Sequence, residues 1–135
     1  MLATLLLIGS LLADPIPRKA TFQINVTNIR TMSGNLRVAV FNCKDFPDCK
    51  PVYTKSLPVV QGQQQATFQV EPGDYAVAIH HDVNSNGKME KKMFGIPKEP
   101  YGFSNNFRPV MSAPKFNDCR VTVGSGGKTI GIKLN

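Results

Sequence analysis

The sequence predicts an all-β protein that forms a single antiparallel β-sandwich of about seven strands. At 135 residues the chain is long enough for one hydrophobic core and too short for two. Apolar and polar side chains alternate along several short runs, as expected of strands with one buried face. Turn residues separate these runs, and no 3.6-residue period persists for the length of a helix. Short strands joined by turns favour two stacked antiparallel sheets, and we place this domain at residues 20–135.

Two strands are predicted near the start of the domain. Residues 21–27 place apolar side chains at even positions and polar ones at odd positions, the pattern of a half-buried strand. A Ser-Gly turn at residues 33–34 follows, and residues 36–41 then place Leu36, Val38 and Val40 on one face and Arg37, Ala39 and Phe41 on the other. Because the connection is short, we expect these two strands to pair as an antiparallel hairpin.

Three further strands are predicted in the middle of the chain. Residues 52–60 form the first, and Pro58 within it indicates an edge strand because proline cannot donate a backbone hydrogen bond. Residues 64–70 form the second. Residues 71–74 contain a Pro-Gly pair that is typical of a tight turn, so the third strand follows at residues 75–82.

Residues 119–123 and 129–134 are predicted as the last two strands. The glycine-rich residues 124–127 between them indicate a hairpin turn. No helix pattern follows these glycines, which argues against a phosphate-binding loop. Cys119 shares strand parity with Val121, so we expect a buried thiol that packs as a small hydrophobic side chain.

The stretch from residue 89 to residue 116 has neither a strand nor a helix period. It contains four prolines and five of the eleven aromatic residues, and the aromatics are Phe94, Tyr101, Phe103, Phe107 and Phe116. Disordered segments are poor in aromatic residues. The stretch is therefore predicted to be a long ordered loop, rich in proline and aromatic residues, that folds over one end or one face of the sandwich.

Residues 1–13 resemble a secretory signal peptide. They carry no charge, and their apolar run is shorter than the roughly 20 residues of a membrane-spanning helix, so no transmembrane anchor is expected in the mature chain. Cleavage after Ala13 would fit this pattern. No basic residue precedes the run and Leu11 occupies a position where a small residue is usual, so a buried N-terminal element is the alternative. We expect export to the periplasm or the cell surface.

The chain has three cysteines. Cys43 and Cys49 are separated by five residues, a spacing that suits a disulfide across a surface loop in an oxidising compartment. Three pairings are possible, and the sequence alone does not select one. No Cys-x-x-Cys spacing is present, which argues against a metal site built by these cysteines.

The formal net charge is +7, and basic residues are spread from Arg18 to Lys133. A nucleic-acid-binding surface would concentrate them in one stripe or patch. We therefore expect no nucleic-acid partner; a diffuse positive charge also suits an anionic envelope surface.

The sequence from Asp82 to Glu90 resembles the first part of a calcium-binding loop. Side-chain oxygens at Asp82, Asn84 and Asn86, the carbonyl of Lys88 and the carboxylate of Glu90 would be the ligands of Ca²⁺. The twelfth position holds a methionine where a glutamate is usual, and three lysines are nearby, so binding would be weak. The alternative is an Asn-Gly turn whose side chains bond their own backbone.

The adjacent histidines do not complete a catalytic site. In a strand, His80 and His81 point to opposite faces, with His81 on the apolar face and His80 on the same face as Asp82. They would not readily share one metal, and His81 is expected to bond a carbonyl at the edge of the core. No nucleophile elbow or zinc-binding helix motif frames these residues, so no catalytic residue is assigned.

Several motifs resemble those of a known bacterial family. They are Pro72-Gly73-Asp74-Tyr75, His81-Asp82, Asn86-Gly87-Lys88, Gly95-Ile96-Pro97-Lys98-Glu99 and Tyr101-Gly102-Phe103-Ser104-Asn105-Asn106. Through them nearly all of the mature chain resembles domain of unknown function 2141. The resemblance implies an exported protein with a prealbumin-like or immunoglobulin-like sandwich, and it implies no activity. Glu90 and Lys92 depart from the family pattern, which weakens the ion site here.

We take a non-enzymatic binding or accessory module of the envelope as the leading hypothesis. Its site would combine the Asp82 to Glu90 loop with the aromatic loop, whose predicted ligand-binding residues are Tyr101, Phe103, Asn105, Asn106, Phe107 and Arg108. This mixture of rings and polar groups suits a sugar, a peptide or a lipid headgroup.

Three alternatives stay open. The aromatic side chains could simply anchor the loop to the core. The chain could be a hydrolase that uses His80 or His81 together with Asp82. It could also be a purely structural domain of the envelope.

Overall fold

The computed structural model describes residues 19–85 and 99–135. Residues 1–18, which include the predicted signal peptide, and residues 86–98, which include the start of the long loop, lie outside the described residues. The strands are, in chain order, β1 (Ala20–Thr27), β2 (Asn35–Phe41), β3 (Tyr53–Pro58), β4 (Gln64–Val70), β5 (Gly73–Asp82), β6 (Tyr101–Phe103), β7 (Val121–Val123) and β8 (Lys128–Lys133). A 3-10 turn (Ser104–Asn106) follows β6, and a one-turn helix, α1 (Phe116–Cys119), precedes β7. Within the described residues no helix is long and apolar enough to span a membrane.

The strands form two packed sheets, which confirms the predicted all-β sandwich. The first sheet has the order β4-β1-β8, and the second has the order β3-β2-β5-β6. β7 extends the second sheet by pairing with the beginning of β5. The pairs are antiparallel except for β1 and β8, which run parallel. Pro58 lies in the edge strand β3, as predicted.

The main core lies between the two sheets. Side chains at even positions of β1 and at odd positions of β5 point into it. Its largest fully buried apolar side chains are Phe22, Ile24, Leu36, Ile79, Ile132 and Leu134. Burial of each such side chain contributes about 1.5–3 kcal/mol. A register slip of one residue would replace these side chains by polar ones, so burial specifies the register.

A second, smaller apolar cluster covers part of the outer face of the second sheet. Its buried members are Phe41, Phe46, Ala76 and Cys119. The loop aromatics Phe103, Phe107 and Phe116 pack against it and are partly buried. The described part of the long loop is therefore folded over a sheet face, as the aromatic content predicted.

A disulfide joins Cys43 to Cys49, which is one of the three pairings that the sequence allowed. The loop that it closes places Phe46 against Phe41, with ring centroids 4.9 Å apart. Cys119 is a free, fully buried thiol in the same cluster.

The predicted hairpin of the first two strands is wrong. β1 pairs with β4 and β8, whereas β2 pairs with β3 and β5 in the other sheet. Residues 28–34 therefore cross from one sheet to the other. Both strands bury one face in the same core. Their alternation of buried and exposed side chains is therefore the same whether the strands pair within one sheet or lie in opposite sheets. Seven residues are sufficient to span the roughly 10 Å between stacked sheets.

The end of the chain also differs from the prediction. β7 pairs with β5 and β8 pairs with β1, and a single bridge between Gly124 and Gly127 joins their near ends. Cys119 belongs to α1, so the strand begins at Val121. The loop contributes β6, which raises the described strands from the predicted seven to eight. A strand of three residues is too short for its alternation to be recognised.

Candidate functional site

Gly102 orients the aromatic side chains of β6. On the inner side of the sheet, a Cβ at this position would lie 2.7 Å from Cγ2 of Ile132 in β8, so the close approach requires glycine. Because side chains alternate along a strand, the neighbours Tyr101 and Phe103 point to the outer face. Their ring centroids are 5.6 Å apart in an edge-to-face arrangement. The pair stands opposite His80 and Ala78 of β5.

The two asparagines after β6 act as connectors. Asn105 and Asn106 have φ angles of 62° and 51°, in the left-handed region that asparagine tolerates better than most residues. The Asn105 amide donates to the carbonyls of Asp118 and Arg120, at 3.3 and 3.0 Å. Asn106 Oδ1 accepts from the backbone N–H of Lys133 at 2.9 Å. These bonds tie the turn to α1 and to β8.

A shallow surface depression, here called the β6 cleft, brings most of the predicted ligand-binding residues together. It is lined by Tyr101, Gly102, Phe103, Asn106, Phe107, Arg108, Lys133 and Asn135. Asn105 does not line it. The enclosed space of about 10 Å³ holds about one water molecule, so a larger ligand would lie on the surface.

Besides Gly102, which belongs to β6 itself, two residues of the β6 cleft were absent from the predicted ligand-binding set. Lys133 and Asn135 come from the end of the chain, about 30 residues after β6. Asn135 exchanges two hydrogen bonds with the backbone of Tyr101, at 3.0 and 3.2 Å. No local motif marks these residues, because the packing of β6 against β8 brings them here.

Beside the aromatic pair, charged side chains form a second group, the outer-face network. Asp82 Oδ2 accepts from Arg37 Nε at 3.2 Å, and the Asp82 side chain is fully buried. His80 Nε2 lies 3.1 Å from Glu99 Oε1. Glu99 Oε2 accepts from the backbone N–H of Val83 at 2.7 Å. Glu99 was part of a family motif, but its contact with His80 was not predicted from the sequence.

His81 points in the opposite direction from His80, as the strand period predicts. It is fully buried on the core side, and its Nε2 lies 2.7 Å from the carbonyl oxygen of Ser33. Its Nδ1 is buried and has no hydrogen-bond partner in the described part of the chain. The two histidines thus contribute to different surfaces of the sheet.

The predicted calcium loop is described only at its beginning. Asp82 is buried and bonded to Arg37, and Asn84 is exposed. Asn86, Lys88 and Glu90 lie outside the described residues. Among residues 19–85 and 99–135, no group of three or more His, Cys, Asp or Glu side chains is arranged to hold a metal ion.

The Cys119 thiol is buried in the outer apolar cluster, against which Phe103, Phe107 and Phe116 pack. Burial, with a smaller contribution from the neighbouring Asp118 carboxylate, raises the pKa of Cys119 to about 12. The nucleophilic form of cysteine is the thiolate. Cys119 is therefore protonated at neutral pH and acts as a packing residue.

Comparison with known proteins identifies the family. The sequence model of a family described as an uncharacterized protein conserved in bacteria, DUF2141, matches residues 24–131. The chain belongs to the DUF2141 family. No curated protein and no solved structure gives a significant match.

The DUF2141 match extends from within β1 into β8. It includes the outer-face network and the whole of β6, and it ends before Lys133 and Asn135. The β6 cleft of this DUF2141 protein thus combines residues within the family match with two residues beyond it.

Proposed function

We propose that this DUF2141 protein is an exported, non-enzymatic binding module that recognises an envelope ligand at the β6 cleft. The observation that carries the proposal is the convergence of the predicted aromatic and basic residues with Lys133 on one depression. The ligand classes that suit the cleft are a sugar, a peptide and a lipid headgroup.

The chemistry of the β6 cleft supports recognition of a ligand with an apolar face and an anionic or polar group. Tyr101, Phe103 and Phe107 are partly buried, so each leaves part of its ring available for stacking. Arg108 and Lys133 are exposed and carry positive charge. A guanidinium group can bind a phosphate or carboxylate with two parallel hydrogen bonds.

Two features support export. Disulfides persist in oxidising compartments such as the periplasm, and Cys43 is bonded to Cys49. Residues 1–13 have the uncharged apolar character of a signal peptide. Purification from the periplasmic or surface fraction, with a mature N-terminus at Asp14 measured by mass spectrometry, would test this part of the proposal.

Weak calcium binding by residues 82–90 is a further part of the proposal. The alternating oxygen-bearing side chains support it. The contact between Asp82 and Arg37 opposes it, because a guanidinium group already neutralises the first carboxylate. Any affinity should therefore be at the weak, millimolar end of the range for extracellular calcium modules.

The hydrolase alternative receives less support from the geometry. His80 and Glu99 are each less than a tenth exposed, so neither is freely accessible to a substrate. His81 faces the core. Replacing both histidines by alanine and assaying turnover would distinguish an enzyme from a binding module, provided that the variant is still folded.

The decisive experiment is a titration of the ¹⁵N-labelled protein, followed by NMR, with soluble glycan fragments, peptides and glycerol phosphate. We expect chemical-shift changes confined to the β6 cleft. Arg108→Ala and Lys133→Ala should each weaken binding by at least about fivefold, as expected for loss of a charged hydrogen bond. Lys128→Ala is the matched control, because Lys128 is an exposed lysine at the opposite end of β8. If none of the probes changes the chemical shifts of the cleft residues, a purely structural domain is favoured.

A further inference from the structure

The loop after the β6 cleft exposes two large apolar side chains to solvent. Val110 and Met111 are 92% and 95% exposed, more than the other exposed large hydrophobic residues of the described chain. Pro109 precedes them, and Ser112 and Ala113 follow. We call residues 108–115 the Val110 tip. Soluble proteins often expose single apolar side chains, whereas adjacent, almost fully exposed ones form a contiguous apolar patch of the kind that marks interaction surfaces.

Both ends of the Val110 tip are held by the fold. On one side, Phe107 packs into the outer apolar cluster and its N–H donates to the carbonyl of Ser104. On the other side, Pro114 is buried and the N–H of Lys115 donates to Asp118 Oδ2 at 3.0 Å. The exposed side chains are therefore presented on a loop with two fixed ends.

Basic residues lie on both sides of the exposed pair along the chain. Arg108 and Lys115 flank it, and both are exposed. Residues 101–135 carry five basic side chains and one acidic side chain, Asp118, whose carboxylate is engaged with the Lys115 backbone. Apolar side chains that project between basic ones match the boundary between acyl chains and anionic headgroups.

A lipid surface fits this tip better than a protein partner does. A stable protein interface needs about 800 Å² on each side with a well-packed centre. The two exposed side chains offer an area far smaller than that. A fluid bilayer accepts exposed apolar side chains without a complementary pocket, and the flanking cations favour an anionic one.

We propose that the Val110 tip inserts Val110 and Met111 into the surface of an anionic phospholipid bilayer, with Arg108 and Lys115 contacting lipid phosphates. This inference rests on the proposed function, because Arg108 belongs to both the tip and the β6 cleft. It specifies the envelope partner as a bilayer surface.

Vesicle binding tests the proposal. The exported protein, beginning at Asp14, would be mixed with vesicles of phosphatidylglycerol and phosphatidylcholine, or of phosphatidylcholine alone, and the bound protein would be measured by sedimentation. We expect binding to the anionic vesicles. The double variant V110S/M111S, which keeps every charge, should lower the partition coefficient at least about tenfold. The double variant M32S/V60S alters exposed apolar residues elsewhere and should stay within about twofold of the parent.

A fluorescent reporter gives an independent readout. The chain contains no tryptophan, so Met111→Trp introduces a single indole. Its emission should shift to the blue with anionic vesicles and be quenched by brominated acyl chains. Val60→Trp, also an exposed position, should show neither change.

The outcomes separate the two proposals. Tip insertion is overturned if V110S/M111S binds anionic vesicles as strongly as the parent protein does. It is also overturned if the emission of the Met111→Trp variant does not shift to the blue with these vesicles. Equal binding to both vesicle types overturns the anionic preference. If vesicle binding fails but soluble ligands still perturb the β6 cleft, the binding module stands without the bilayer; if both fail, both proposals fall.

Discussion

Ser104 closes a gap in the hydrogen bonding along one edge of β5. Along this edge β7 pairs up to Tyr75 and β6 pairs from Ala78. Between them, the N–H of Val77 donates to Ser104 Oγ at 2.9 Å, and the Ser104 hydroxyl donates to the carbonyl of Cys119. One fully buried hydroxyl therefore joins the sheet, the 3-10 turn and α1.

Replacing Ser104 by alanine should lower the free energy of unfolding by about 2–4 kcal/mol, because it leaves a buried N–H and a buried carbonyl without this partner. Urea unfolding followed by circular dichroism would measure the change. Ser112→Ala, at an exposed position of the Val110 tip, is the control and should stay within about 0.5 kcal/mol of the parent. Equal stability of the two variants would show that the Ser104 hydroxyl is not a structural bridge.

At the scale of elements, the connection between β1 and β2 decides how the two sheets are joined. Gly34 ends this connection with a φ of 72°, and its carbonyl accepts from the N–H of Val59 at 3.0 Å. A Cβ on Gly34 would lie 2.0 Å from the carbonyl oxygen of Asp82 and 2.6 Å from that of Val83. The end of β5, where the outer-face network begins, is thus packed directly on this glycine.

We expect Gly34→Ala to lower the free energy of unfolding by about 3 kcal/mol or more, since both the left-handed φ and the contact with rigid backbone oppose a side chain. Thermal and urea unfolding would measure this. Gly126→Ala is the matched control, because a Cβ there meets no atom within 4 Å. A Gly34→Ala variant as stable as Gly126→Ala would contradict the close packing of β5 on this connection.

At the scale of the whole molecule, calcium binding would appear as a change in thermal stability. A site with a dissociation constant of about 1 mM would stabilise the fold by about 1.4 kcal/mol at 10 mM Ca²⁺. For a domain of this size we expect a rise in Tm of about 4–8 °C, and Glu90→Gln should reduce it. Magnesium at the same concentration is the control. If the Tm is the same with calcium and with a chelator, the calcium proposal is wrong.

Much of the fold could be predicted from the alternation of side chains. The even-numbered apolar residues of β1 and the inward-facing His81 lie where a two-residue period places them. The strand partners could not be predicted in the same way. The sequence of a strand indicates its buried face but not the strand beside it. The observed parallel pairing of β1 with β8 gives β1 the same sequence pattern as the predicted pairing of β1 with β2.

The candidate site was predicted in part for a similar reason. Tyr101, Phe103 and Phe107 stood out because disordered segments are poor in aromatic residues, so their presence predicted an ordered loop. Lys133 and Asn135 carry no local signal, and Glu99 belongs to a family motif that does not reveal its contact with His80; all three take their places through packing between distant segments.

The sequence by itself determined the buried face of the strands that have a clear two-residue period, and it predicted that the aromatic part of the loop packs on the sandwich, because both depend on side-chain chemistry over a few neighbouring positions. Only the tertiary structure decided the order of strands in the sheets, the pairing of Cys43 with Cys49 and the partner of His80. Those choices depend on contacts between distant segments, whose free energies are settled by packing in three dimensions.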